Sequence, residues 1–284
     1  MNKVDIAIIG AGPAGLSAAV NAKIRNKSFL LFGSGLSHKI NISQSIDNYL
    51  GIPQADGKTL NAKFKEHIEN MDITITEERI TGIYNMGKSF MLLANQKEYE
   101  ADAIILATGS EMTKSVKGER ELLGRGVSYC ATCDGNLYKN KTIAVVCDSE
   151  ELEEEAEYLA ELAGYVHYFP VFKSNLSAEN LKTYSSRIQS VNGDFKAESI
   201  TLKSGEELKV DGIFFLKNSV SADVLLHGLE TENGHIVVDR NMATSIKGCF
   251  AAGDCTGAPY QIAKAAGEGN IALHSAVSYL SKKQ

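Results

Sequence analysis

An apolar strand that runs straight into a glycine turn and then a helix restricts a fold more than overall composition does. This chain has such a unit at its start. Residues 4–9 are apolar and rich in β-branched side chains, Gly10-Ala11-Gly12-Pro13-Ala14-Gly15 follow at once, and residues 16–24 carry a helical pattern. In that context the spacing G-x-G-x-x-G has a physical meaning. The first glycine permits the tight turn, the second lets main chain approach a pyrophosphate, and the third lets the helix pack on the strand. The helix N-terminus adds its dipole and unpaired amides, which favour an anion. A dinucleotide-binding α/β unit is the expectation.

The next strand, residues 28–32, ends in Gly33-Ser34 and lacks the acidic residue that commonly binds a ribose diol, so Ser34 is the candidate hydroxyl there. Asn48-Tyr49-Leu50-Gly51-Ile52-Pro53 reads as a loop with a turn, and Gly57 to Asn70 as a helix. Residues 72–93, broken by Gly82 and by Asn85-Met86-Gly87, have the pattern of a small β-meander. Residues 103–106 form a buried-type strand leading to Thr108 and Gly109, and residues 141–146 open a second strand–turn–helix unit. Further strands are expected at 214–216 and 235–238, and a last helix at 260–280 with small residues near its start. The architecture expected is α/β: two Rossmann-like, three-layer nucleotide-binding domains, the second inserted in the first. The first spans 1–111 and 244–284, and the inserted one 112–243.

A chain of 284 residues can hold two such cores. Its net charge of -6 opposes nonspecific binding to nucleic acid or to an anionic membrane surface. No apolar run has the length of a membrane span, and, with the first strand opening almost at once, no signal peptide is expected. Five cysteines with a single close pair do not form a secreted disulfide framework, so a reducing, cytoplasmic setting is expected.

That close pair lies in Ser128-Tyr129-Cys130-Ala131-Thr132-Cys133-Asp134-Gly135. Cysteines two residues apart can close a small disulfide ring, and an adjacent carboxylate can hand a proton to a departing thiolate. The same spacing serves half of a zinc site, but no matching second pair is visible, so redox chemistry is preferred and no metal is expected.

The series GAGPAG, NYLGIP, ILATGS, RGVSYCATCDG and FAAGD, in this order across nearly the whole chain, resembles the low-molecular-weight thioredoxin reductases. The resemblance implies an FAD-binding domain, an NADPH-type domain carrying the redox disulfide, a homodimer, and thioredoxin as electron acceptor. It implies Cys130 and Cys133 as the redox pair, with Cys133 facing the flavin, and Asp134 as proton donor. For FAD it implies Gly10, Gly12, Pro13, Ala14 and Gly15 at the pyrophosphate, and Gly33 and Ser34 at the end of the second strand. It places Ile40 and Asn48 toward the flavin, with Thr108, Gly109, Gly253 and Asp254 completing the set and Asp254 on the ribitol. The candidates Lys39 and Gln261 stand where the chain departs from the family, Ser37-His38-Lys39 replacing Gly-Gly-Gln and Gln261 a shortened Arg-Gln. Lys39 reads either as a surface charge or as a flavin neighbour. Lys39 beside the ring would favour an anionic reduced flavin.

The inserted domain breaks the pattern. Where its own glycine cluster is expected stand Cys147, Asp148 and Ser149, and the following helix carries Glu150, Glu151, Glu153, Glu154, Glu155 and Glu157. Side chains there block the approach of a pyrophosphate, and the carboxylates repel it. Where the family clamps a 2′-phosphate with arginines, this chain has Pro170-Val171-Phe172. The chain therefore most resembles the ferredoxin-dependent flavin thioredoxin reductases, in which ferredoxin replaces NADPH. Lys114, Lys117, Arg120 and Arg125 are the candidate docking face for an acidic ferredoxin. Rival readings are a dithiol oxidase that passes electrons to oxygen, an NADPH-dependent reductase with an atypical site, and a flavoprotein that acts only as a sensor or binding module. Cys147 and Cys249 read as buried small hydrophobes, while Cys255, next to Asp254, lies near the expected flavin contacts.

Overall fold

Strand β1 (Asn2–Ile9) is the axis of the first unit. Ile6, Ala7 and Ile8 are fully buried, which requires cover on both faces of the sheet and suits a parallel strand with helices above and below. The computed structural model describes residues 2–94, 97–109, 115–217 and 222–283. After β1 the chain runs through α1 (Pro13–Ile24), β2 (Phe29–Phe32), the short α2 (His38–Asn41) and α3 (Gly57–Asn70). It continues through β3 (Ile75–Thr76), β4 (Ile80–Asn85), β5 (Phe90–Ala94) and β6 (Lys97–Leu106). Helix α3 starts at Asp56, whose carboxylate accepts the Thr59 N–H at 2.7 Å, a side-chain cap of a helix end.

The meander is there, but its third strand and the buried strand before Thr108 are one element. Leu93 pairs with Glu98 and Ala94 with Lys97 at the antiparallel start of β6, whereas Ile104 to Leu106 at its end pair in parallel with β1. The same end of β6 also receives β17 (Cys249–Ala251), so this strand joins the meander to the nucleotide-type sheet.

The second unit contains β7 (Val127–Ser128), α4 (Ala131–Asp134), β8 (Thr142–Cys147), α5 (Glu153–Leu162), β9 (Tyr165–Pro170) and β10 (Leu181–Thr183). Then come β11 (Ile188–Asn192), β12 (Ser199–Leu202), β13 (Glu207–Lys209) and β14 (Gly212–Leu216). Its parallel sheet has the order β10-β9-β8-β14-β7, and β11, β12 and β13 form an antiparallel sheet. The core packs Val145, Val166, Phe214 and Leu216 of the sheet against Ala156 and Leu159 of α5.

The two compact units are Met1–Glu111 with Ser221–Gln284, and Met112–Val220. The return to the first unit thus comes at 221, not at 244. Residues 222–243 belong to the first unit because its own elements hold them. Leu226 bridges to Ile83 of β4, Ala243 bridges to Phe250 of β17, and His235 bonds Tyr260. This stretch carries α6 (Ala222–Leu225) and a hairpin of β15 (Thr231–Glu232) and β16 (His235–Ile236), shorter than the expected strand over 235–238. The last helix, α7 (Ile262–Lys283), begins after Gln261 and runs past the expected end, where Lys283 pairs with Asp102 at 2.9 Å.

Helices α1 and α7 meet main chain to side face: a Cβ at Gly269 would lie 2.0 Å from the Ala14 carbonyl oxygen. In the same way a Cβ at Gly15 would lie 1.8 Å from the Gly10 carbonyl oxygen. At Gly12 an added Cβ meets nothing within 4 Å. Gly15→Ala is therefore expected to destabilise the protein by about 2–4 kcal/mol through overpacking, and Gly12→Ala to leave unfolding within about 0.5 kcal/mol of wild type, checked by denaturant titration.

Candidate functional site

The turn between β1 and α1 is built of main chain. Gly10 has φ +115°, and a Cβ there would lie 2.1 Å from the carbonyl oxygen of Ala107, just past β6. Only glycine lets these two strand ends approach so closely. Gly12 is the N-cap of α1 and supplies no side-chain cap, and the first turn holds no acidic residue. The first-turn amides of a helix have no intrahelical acceptor, and Pro13 removes the one N–H that would point nowhere useful. Open space above Gly12, uncapped amides and a neutral first turn fit the pyrophosphate of a dinucleotide such as FAD.

Other predicted contacts gather around the loop after β17. Lys39 and Asp254 form an ion pair at 2.6 Å, with the Lys39 ammonium 5.3 Å from the Tyr260 ring centre. The Asn48 side-chain amide donates to the Gln261 oxygen at 2.5 Å. So Lys39 with Asp254, and Asn48 with Gln261, stand as two pairs, each formed by residues more than 200 positions apart. Gly33 ends β2 with its N–H on the Thr76 carbonyl at 3.1 Å, and Ser34 beside it is exposed. Thr108 and Gly109 follow β6, Gly109 with φ +74°. Ile40 is different: its side chain is buried with Ile46 and Leu60, and its carbonyl accepts from Ser43.

Sequence reasoning did not single out what holds the Gly253-Asp254 loop. Lys264 donates to the carbonyls of Gly253 and Gly257, each at 2.7 Å, and to the Thr256 hydroxyl at 2.9 Å. Glu268, one turn further along α7, accepts the Gly253 N–H at 2.9 Å and pairs with Lys264 at 3.1 Å. The i, i+4 spacing of Lys264 and Glu268 was the readable signal, although such pairs are ordinary on exposed helix faces.

In the second unit Cys130 and Cys133 are joined by a disulfide. Cys130 is the N-cap of α4, its Sγ accepting the Cys133 N–H at 3.2 Å. Cys130 is buried and Cys133 exposed, so the ring presents one sulfur side outward. Asp134 is anchored by Ser128, whose hydroxyl donates to its Oδ2 at 2.6 Å. Among the described residues no group of three or more His, Cys, Asp or Glu could hold a metal ion.

Immediately behind the ring lies a buried charge pair absent from the sequence reading. Lys217 donates to Glu119 Oε1 at 2.5 Å, with side-chain exposures of 5% and 0%. Tyr129, which precedes Cys130, donates its hydroxyl to the same oxygen at 2.6 Å, and the Val116 N–H serves Oε2 at 2.8 Å. The Lys217 ammonium also lies 5.5 Å from the Tyr129 ring centre and 5.2 Å from that of Phe215. The carboxylate is thus fully satisfied, the condition under which a buried ion pair is tolerated. Nothing in sequence marks partners 98 positions apart.

The turn after β8 is closed by side chains. Cys147 lies in the core and its thiol points at the Ser149 carbonyl, 3.3 Å away. Glu153 in the first turn of α5 accepts the Tyr168 hydroxyl at 3.2 Å and is also bonded by the Ser174 hydroxyl. A helix end that holds three glutamates in its first turn disfavours a second anion. Of the expected basic face, Lys117, Arg120 and Arg125 are exposed on the segment leading to the disulfide, and Lys114 lies outside the described residues.

Comparison with known proteins agrees with this division. The model of the pyridine nucleotide-disulphide oxidoreductase family matches residues 4–147 and 173–269. The unmatched interval begins at Asp148 and covers the glutamates and Pro170-Val171-Phe172. The chain is 35% identical to the thioredoxin reductase of Helicobacter pylori strain J99, covering 98% of this chain and 99% of that protein. It is 33% identical to the thioredoxin reductase of Treponema pallidum strain Nichols, covering 99% and 98% respectively. A crystal structure of a ferredoxin-flavin thioredoxin reductase from Clostridium acetobutylicum superimposes with a TM-score of 0.90 at 50% identity, covering 99% of each chain.

Two outcomes follow from the site. Lys217→Met leaves a buried carboxylate unpaired and is expected to destabilise the second unit by about 3–5 kcal/mol, most of it recovered in Lys217→Met/Glu119→Gln, as read by denaturant unfolding. Burial pushes the Cys147 and Cys255 thiols up to about 11 and that of Cys249 up to about 12. Because the thiolate is the nucleophile, iodoacetamide near neutral pH should label none of the three in the native oxidised protein and all three after unfolding, counted by mass spectrometry.

Proposed function

Because this chain belongs to the pyridine nucleotide-disulphide oxidoreductase family, among the thioredoxin reductases, we propose that it is an FAD-dependent thioredoxin reductase supplied by reduced ferredoxin. Electrons leave through the Cys130–Cys133 disulfide to thioredoxin. What supports this choice of donor is the turn after β8, where a hydride donor's pyrophosphate would meet Cys147, Asp148 and Ser149 in place of glycines and a helix start carrying three glutamates. The likeness to the Clostridium ferredoxin-flavin enzyme supports the same donor.

In this reading Gly10, Gly12, Pro13, Ala14 and Gly15 hold the FAD pyrophosphate against the N-terminus of α1. Asp254 binds the ribitol, held in place by the Lys264–Glu268 clamp, while Lys39, Asn48 and Gln261 flank the flavin end. Bound there, FAD supplies the exchange between single electrons and electron pairs. The protein does the rest. After reduction of the disulfide, one sulfur remains a thiolate and attacks the disulfide of thioredoxin, and Asp134 supplies the proton to a departing sulfur. Lys117, Arg120 and Arg125 form the face that meets an acidic ferredoxin. The working form is a homodimer, as in the thioredoxin reductase family. Its setting is a reducing cytoplasm, consistent with three buried free cysteines.

An anaerobic titration of the yellow protein, followed by flavin absorbance, tests the proposal. Bleaching is expected with reduced ferredoxin, with electrons then reaching thioredoxin, and not with NADPH or NADH. Prompt bleaching by NADPH would overturn the choice of donor. Bleaching only by small dithiols, with peroxide formed in air, would assign the chain to oxidase chemistry instead.

A further inference from the structure

The Ser128 hydroxyl is buried directly beneath the disulfide ring and makes three polar contacts. It accepts the Cys130 N–H at 3.1 Å, donates to Asp134 Oδ2 at 2.6 Å, and lies 3.3 Å from the Cys130 carbonyl oxygen. Only 4% of the residue is exposed, so water is not an alternative partner for that hydroxyl. A hydroxyl carries one proton and two lone pairs. With Asp134 ionised, the proton goes to the carboxylate. With Asp134 protonated on Oδ1, Oδ2 remains an acceptor and keeps the Ser128 hydrogen, so one bond holds the carboxyl in both states.

We propose that Ser128 is the positioning residue for proton transfer at the disulfide. By holding Oδ2 it fixes the carboxyl rotamer and leaves Oδ1 as the oxygen that carries the exchangeable proton. This rests on the reading of Asp134 as proton donor. The step balances as follows. A thiolate reductant forms a bond to one sulfur of the Cys130–Cys133 pair, the S–S bond breaks, and its electron pair leaves with the other sulfur. That sulfur takes the proton from Asp134 Oδ1, and the Ser128 hydrogen stays on Oδ2, now part of a carboxylate. The hydroxyl is oriented by the backbone of the cysteine whose bond is breaking, so acid and ring move as one piece.

The test is a double-mutant cycle read on disulfide opening alone. Oxidised holoenzyme is treated with excess dithiothreitol, and the rate at which Cys130 and Cys133 become alkylatable is measured for wild type, S128A, S128T, D134N and S128A/D134N. Flavin content and circular dichroism are followed in parallel, and S128G replaces S128A should the alanine variant fail to fold. D134N is expected to slow opening about 100-fold, as loss of a general acid does. S128A is expected to slow it about 10-fold through misplacement of that acid, with S128T near wild type. On the D134N background S128A should add nothing, because there is no proton left to position. Equal slowing by S128A on both backgrounds would make Ser128 a support of the loop only and overturn the proposal. A wild-type rate in S128A with a slow D134N would overturn it too, while leaving the reading of Asp134 intact. A wild-type rate in D134N would overturn both.

Discussion

Main chain touching main chain at the end of β1 is the contact on which the first unit depends. Gly10 lies against the Ala107 carbonyl and Gly15 against the Gly10 carbonyl, each closer than a side chain would allow. Those two approaches bring the ends of β1 and β6 and the start of α1 to one point. The absence of a Cβ at Gly269 lets α7 rest on Ala14, in the first turn of α1. The N-terminal end of α1 is therefore set by close packing, and its amides are presented by a scaffold with little freedom to relax.

The second unit repeats the strand–turn–helix plan with opposite chemistry. After β8 the turn is occupied by Cys147, Asp148 and Ser149, and the helix that follows receives hydroxyls on its own Glu153. One plan yields a glycine turn with a neutral helix start in the first unit and a side-chain-bearing turn with an acidic helix start in the second. The second unit devotes its polar groups to the disulfide instead. Ser128 lies under the ring, and the Glu119–Lys217 pair holds Tyr129 behind it. With both carboxylate oxygens of Glu119 accepting hydrogen bonds, the buried charges hold one arrangement of the loop rather than several.

Much of this was legible in the sequence because it is local. The glycine fingerprint, the cysteine pair with its acid, and the loss of the second fingerprint each occupy a run of a few residues. What escaped depends on three-dimensional neighbours. Lys217 and Glu119 are separated by most of the second unit, and each alone reads as a surface charge. The return at 221 rather than 244 was hidden because residues 222–243 have no strong period and are held by isolated bridges to Ile83 and Phe250. Ile40 stood among the cofactor candidates, and only the fold shows its side chain in a small core with Ile46 and Leu60. Ser128 stood in the quoted motif, yet only the folded loop shows that its hydroxyl joins Cys130 to Asp134.

The closed turn after β8 also bears on how this chain can change over generations. Glycine at position 147 would leave a hole where a buried thiol now sits, and removing Glu153 would take a shared acceptor from the Tyr168 and Ser174 hydroxyls. Arginines placed after β9 would find no bound phosphate to meet until both other changes were in place. Each step back toward a nicotinamide site is thus destabilising or idle when taken alone. Such a surface acts as a ratchet: drift can deepen the loss of the old ligand, while recovery needs several coordinated replacements at once.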